Sequence, residues 1–280
     1  MTVPPARRAG LDRLLIGLLV LVHVTAVVSI VRQPWNVAPQ AAARSVLWPL
    51  FHDAVHRLGP GADFFALVHG GVNTARGQSP YDAEEPPQRT PYFYHYRYLP
   101  GPAKTLGRAL ARLVPRAAYV LWVVVMEAAL AGIAALLWRR LRAAGDGGAG
   151  RALGAVALLL LSTPYFLEAH MGQFTFVTMV LVTAALLLLE PAGAGLAAGI
   201  AAAALFALAA ELKVFPLVAA PALLKVRRGW WGLAGAAALF LLLDLPAFHA
   251  APRLYHQFVE SNFADAPNGL DPGNHGLLYL

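Results

Sequence analysis

No cysteine occurs among the 280 residues, so disulfides, thiolate metal sites and a cysteine nucleophile are all excluded. Charge is scarce too: Asp, Glu, Lys and Arg make up 13% of a chain that is 58% hydrophobic with positive mean hydropathy, too apolar for an ordinary soluble domain. No Walker A, GxSxG or HExxH pattern is present, which leaves a P-loop ATPase, an elbow-type hydrolase and a zincin without support. Nor is there a dense basic run. The formal charge of +7 comes from arginines set beside apolar segments, which suits anchoring at lipid headgroups and gives no reason to expect a nucleic-acid partner.

Long apolar stretches fill the chain, and they predict an all-α polytopic membrane protein with residues 1–280 in one domain. Leu14 to Val31 is the first span. Arg7, Arg8 and Arg13 put its start in the cytoplasm, and with no small-x-small cleavage site behind it the segment reads as a retained signal anchor. Residues 32–116 form a long extracytoplasmic loop. Six further spans lie within 117–248: Ala117–Trp138, Ala152–Leu167, Phe174–Leu189, Gly195–Ala210, Val214–Leu224 and Trp230–Phe248. Residues 249–280 are an outer tail.

A hydrocarbon core about 30 Å thick needs about 20 helical residues, so Gly195–Ala210 and Val214–Leu224 are short. They are expected to meet below the outer surface around Glu211 and Lys213, where irregular backbone must be shielded or line a wet cavity. In the long loop, Arg44–Leu58 and Leu99–Leu113 have apolar residues at helical spacing and read as interfacial helices. Ala62–Arg76 reads as another helix, and GQSPYD over 77–82 as a turn.

On this topology Glu168 and His170, Glu211 and Lys213, and Asp244 and His249 all face the side that carries Asp63. The inner turns hold mainly arginines. Ionisable groups in apolar sequence each cost about 2.5–3.5 kcal/mol on insertion scales, so these residues need partners or water. Glu211 and Lys213 either neutralise one another or leave the lysine to bind phosphate. Glu168 is a solvated helix-end acid or part of a site, and Asp244 a buried hydrogen-bonding group or part of one. Glu127, mid-span, reads as a residue joining helices, and His23 as packing. His52, Asp53 and His56 do not form a good ligand set, because Asp53 would point elsewhere on a helix; no metal and no cofactor are expected.

Several stretches resemble glycosyltransferase family 87, whose members include polyprenol-phosphate-mannose-dependent mannosyltransferases with the GT-C fold. They are Asp63-Phe64 opening the loop, GQSPYD over 77–82, the aromatic run into Tyr98-Leu99-Pro100, Met171-Gly172-Gln173-Phe174, and the small-residue helix of 195–216 ending in Lys213 and Pro216. Asn274-His275-Gly276 resembles a late Asn-Gln-Ser motif with two of three positions changed. Such enzymes usually continue with more spans, so the resemblance implies a fragment or a shortened relative.

The resemblance implies a GT-C-like bundle of about seven spans in a bacterial plasma membrane, with the site on the extracytoplasmic face. It implies transfer of a hexose, mannose by analogy, from a polyprenyl-phosphate donor to a lipid or glycan acceptor. Asp63 would be the general base, and Lys213 and His170 would bind the donor phosphate. Gln173, Glu211, Tyr94, Tyr96, Tyr98 and His275 would contact substrate. Two other classes remain open: a lipid or solute transporter, which also places charges in membrane cavities, and a non-catalytic membrane scaffold.

Overall fold

The computed structural model describes residues 5–33, 35, 60–82, 89–91, 95–143, 148–189, 195–225 and 229–263. The expected Arg44–Leu58 helix, His52, Asp53, His56, Tyr94, His275 and the end of the tail lie outside the described residues. What is described is helical, as the apolar periodicity predicts, with no strand among the described residues.

Four helices are long and apolar enough to cross a bilayer: Gly10–Arg32, Pro115–Ala143, Gly148–Met171 and Trp230–Ala250. Thr175–Leu189 and Leu196–Leu212 are apolar but shorter, 15 and 17 residues. At 1.5 Å per residue they reach about 22 and 25 Å. The remaining expected span does not form. Its residues make a 3-10 turn over Phe215–Ala219 and a six-residue helix, Ala220–Lys225. Pro216 and Pro221 each withhold a backbone donor there, which breaks an α-helix into short pieces.

The described residues fall into two compact units. The first takes residues 1–60 and 120–171. Its helices are joined at His23, which is 3% exposed in the middle of the first span. Pro164 has no N–H to give the carbonyl four residues back, and that carbonyl, Leu160 O, bonds to His23 Nδ1 at 2.8 Å. His23 Nε2 lies 2.9 Å from Glu127 Oε2, and Tyr165 OH donates to Glu127 Oε1 at 2.6 Å. The joining role expected of Glu127 is therefore met by a partner 104 residues away, which no local pattern shows.

The second unit takes residues 61–119 and 172–280. Its apolar part is a layer in which Leu196–Leu212 lies between Thr175–Leu189 and Trp230–Leu243. Val182, Ala185, Leu189, Ala202, Phe206, Ala209 and Leu223 form its core. Small residues allow close helix approach: a Cβ on Gly235 would stand 2.9 Å from Ala203 O.

The expected Ala62–Arg76 helix is present as Ala62–Ala75 and is buried on every side from Ala62 to Thr74. Leu99–Leu113, expected as an interfacial helix, packs against it. The segment runs through Pro100–Pro102, a π-helical turn over Ala103–Gly107 and Arg108–Leu110. The cause is a glycine crossing. A Cβ on Gly71 would overlap the Gly107 carbonyl, and one on Gly107 would come 2.6 Å from Leu67 O, so only two glycines admit this contact.

Candidate functional site

Local sequence sets the site in the second unit. Gly172 has φ +67°, and a Cβ there would lie 2.6 Å from Phe64 Cβ and 3.1 Å from Gly61 Cα. The Gly172-Gln173 bend therefore abuts the start of the Ala62–Ala75 helix, the turn that carries Asp63. Asp63 is buried, 8% exposed, and acidic in a first helical turn, where the helix dipole favours negative charge.

After the bend, the Thr175–Leu189 helix begins, and Thr178 N closes its first backbone bond onto Phe174 O at 2.9 Å. Lys213 reaches this corner from the end of Leu196–Leu212, where its backbone is already extended. Its Nζ donates to Thr175 Oγ1 at 2.8 Å and to Gln173 Oε1 at 3.1 Å, while Thr175 Oγ1 lies 3.2 Å from Gln173 Oε1.

An ammonium only donates, so the Gln173 amide must turn its oxygen inward and its NH2 outward. Both acceptors are thus used inside the cluster, while a third ammonium N–H and the amide NH2 take no part in it. Among the described residues no carboxylate pairs with Lys213. The mutual neutralisation of Glu211 and Lys213 does not occur: Glu211, two residues earlier, turns to Asp244. Thr175 is the residue sequence reasoning missed. Its place two residues after Gln173 in the same helix start was the available signal.

Tyr98 packs edge-on against Phe174, with ring centroids 5.2 Å apart, which brings the aromatic run beside the cluster. Tyr96 is 1% exposed and donates its hydroxyl to Leu99 O, so both ring and hydroxyl are committed to the protein. Tyr81 OH donates to Tyr98 O at 2.9 Å. Burial, with the Asp244 charge adding, pushes the Tyr81 phenol far above its usual range; burial does the same to Tyr96, and both stay neutral donors.

The GQSPYD turn is held between two helices. Asp82 O lies 2.8 Å from both His69 Nε2 and Asn73 Nδ2 of the Ala62–Ala75 helix. The Asp82 carboxylate accepts from Gln257 Nε2 at 2.9 Å and Arg253 Nη2 at 3.0 Å of Pro252–Phe263. His170, 1% exposed, belongs to the first unit, in the Thr163–Met171 helix. Among the described residues no group of three or more His, Cys, Asp or Glu is placed to hold a metal.

The fold defines the class first: with four helices long and apolar enough to cross a bilayer, this is a multi-pass membrane protein. The sequence profile of glycosyltransferase family 87 matches residues 86–278, and the chain belongs to that family. It is a multi-pass membrane glycosyltransferase, acting on a sugar donor and an acceptor. The matched region includes Tyr98, Gln173, Thr175 and Lys213, and Asp63 stands before it. Neither a curated protein nor a solved structure matches the chain.

Proposed function

We propose that the protein transfers a hexose, mannose in the first instance, from a polyprenyl-phosphate donor to a lipid or glycan acceptor at the extracytoplasmic face of a bacterial plasma membrane. The observation that carries this reading is the Gln173–Thr175–Lys213 cluster, whose acceptors are consumed internally and whose remaining groups are donors. Such a surface suits a phosphate. Nucleotide sugars are cytosolic and highly charged, so a transferase on the outer face needs its sugar carried across on a lipid phosphate.

The chemistry is a single inverting displacement. The acceptor oxygen attacks the anomeric carbon as Asp63 takes its proton, and the bond from that carbon to the phosphate oxygen breaks with its electron pair. The departing polyprenyl phosphate gains one negative charge in this step. Lys213 is set to offset it, and stabilisation that grows as charge develops is what accelerates the reaction. Tyr98 is assigned to the sugar.

The deciding experiment reconstitutes the full chain in liposomes with a radiolabelled polyprenyl-phosphate mannose. Transfer to a lipid or glycan acceptor, weakened through donor affinity in Lys213→Ala, is the expected result. Movement of the donor between leaflets without transfer would replace this reading with a flippase, and neither event would leave a scaffold.

A further inference from the structure

Two buried acids of the second unit lie outside the proton and phosphate steps of this displacement. Glu211 lies in the last turn of Leu196–Leu212, and Asp244 in the break between Trp230–Leu243 and Leu245–Ala250. Glu211 is 7% exposed and Asp244 fully buried. Asp244 Oδ1 accepts from Gly101 N at 2.6 Å. Leu99, at the N-cap of the Pro100–Pro102 turn, has no side-chain oxygen, so Asp244 caps that turn from another part of the chain.

A Cβ on Gly101 would collide with Glu211 Oε1 and stand 3.1 Å from Asp244 Oδ1, so both carboxyl groups crowd one point. Glu211 Oε1 and Asp244 Oδ2 meet no donor, and among the described residues no basic group forms an ion pair with either acid. Two ionised carboxylates in this place would put like charges in contact and leave two buried oxygens unsatisfied. One proton between them removes both penalties.

We propose that Glu211 and Asp244 share a single proton and act together as positioning residues, fixing Gly101 and, through Leu99, the Tyr98 ring that rests on Phe174 beside the Gln173–Thr175–Lys213 cluster. The link to catalysis rests on the sugar-transfer reading; the proton-sharing itself does not. The other ionisable groups facing Asp244 are Lys104, from the π-helical turn, and the phenols of Tyr81 and Tyr96. The phenols stay neutral, so the shared proton is the one that alkali removes. Its loss leaves two buried charges, so the anchor weakens as pH rises and not as it falls.

Asp244→Asn supplies the test, because an asparagine can accept from Gly101 N with its oxygen and donate to Glu211 with its nitrogen, at the same total charge and with no shared proton to lose. Thermal midpoints of the purified full chain, measured without substrate from about pH 6 to about pH 9.5, should fall at the alkaline end in wild type and stay level in Asp244→Asn. Transfer rates should follow the same two profiles. At neutral pH the Asn variant should keep at least about half of wild-type transfer, while Asp244→Leu, with no acceptor for Gly101, loses about ten-fold at every pH.

An Asn variant that fails like the Leu variant, or that keeps the wild-type alkaline decline, would overturn the proposal. So would a wild-type midpoint that falls on chelation of divalent cations and an Asn midpoint that does not, since that marks a two-carboxylate cation site. Because the midpoints need no donor, they decide the proton-sharing even if the assigned sugar donor is wrong.

Discussion

Gln173 Oε1 and Lys213 Nζ lie 3.1 Å apart, joining positions separated by 40 residues of chain. The bond ties the Gly172-Gln173 bend to the broken end of Leu196–Leu212. The same bend abuts Phe64, next to Asp63. Two contacts thus lead from the helical turn that carries Asp63 to the ammonium of Lys213, all inside one compact unit.

Thr175→Val tests whether the ammonium is aimed. Valine keeps the shape and removes the hydroxyl that Lys213 meets at 2.8 Å. Donor KM should rise about ten-fold, equivalent to about 1.4 kcal/mol, with kcat changed by less than about three-fold. Thr175→Ser should restore the wild-type KM. A Val variant with unaltered KM would mean that Lys213 needs no help from the helix start.

Asp63→Asn addresses the base. Losing a general base costs about 10²- to 10⁴-fold, and the asparagine should leave expression and polyprenyl-phosphate binding intact. Because Asp63 also sits where the helix dipole favours an acid, the thermal midpoint must be measured beside the rate. A folded variant with near-normal turnover would require another residue to take the acceptor proton.

Much of the fold was legible because bilayer thickness dictates the length of apolar runs. Four expected spans appear as long helices, and Thr175–Leu189 and Leu196–Leu212 are present as shorter ones. Val214–Leu224 shows where hydropathy misleads: its composition suits a span, but Pro216 and Pro221 govern the backbone. Leu99–Leu113 has amphipathic spacing, which does not say which neighbour its apolar side meets; the Gly71–Gly107 crossing seats it on Ala62–Ala75. At the site, Gln173 and Lys213 were visible as motif residues. Glu211 was read against its chain neighbour Lys213, although its carboxyl meets Asp244, because pairings across helices leave no trace in local spacing.

Gly71→Ala should remove folded protein. The added methyl meets the Gly107 backbone, which cannot swing away as a side chain would, so the cost should reach about 3 kcal/mol. Gly132→Ala is the matched control: a Cβ there has nothing within 4 Å, and the variant should match or slightly exceed wild type. Equal detergent-extracted yields and midpoints for the two variants would show that the Gly71–Gly107 contact is absent.

Glu127 offers a test confined to the first unit. His23 Nδ1 is committed to the carbonyl that Pro164 releases, so Nε2 alone faces Glu127, whose second oxygen accepts from Tyr165. Glutamine at 127 can still donate to a neutral imidazole and accept from the phenol, so Glu127→Gln should unfold close to wild type. Leucine serves neither partner and leaves Nε2 buried without one, a loss of about 1–3 kcal/mol. Combining Glu127→Leu with Tyr165→Phe in a double-mutant cycle should give a coupling of about 0.6–1.7 kcal/mol, between the average and the largest value for hydrogen bonds between membrane helices. Strict additivity would mean that the tyrosine and the glutamate stabilise the unit independently, and the interhelical bond would have to be withdrawn.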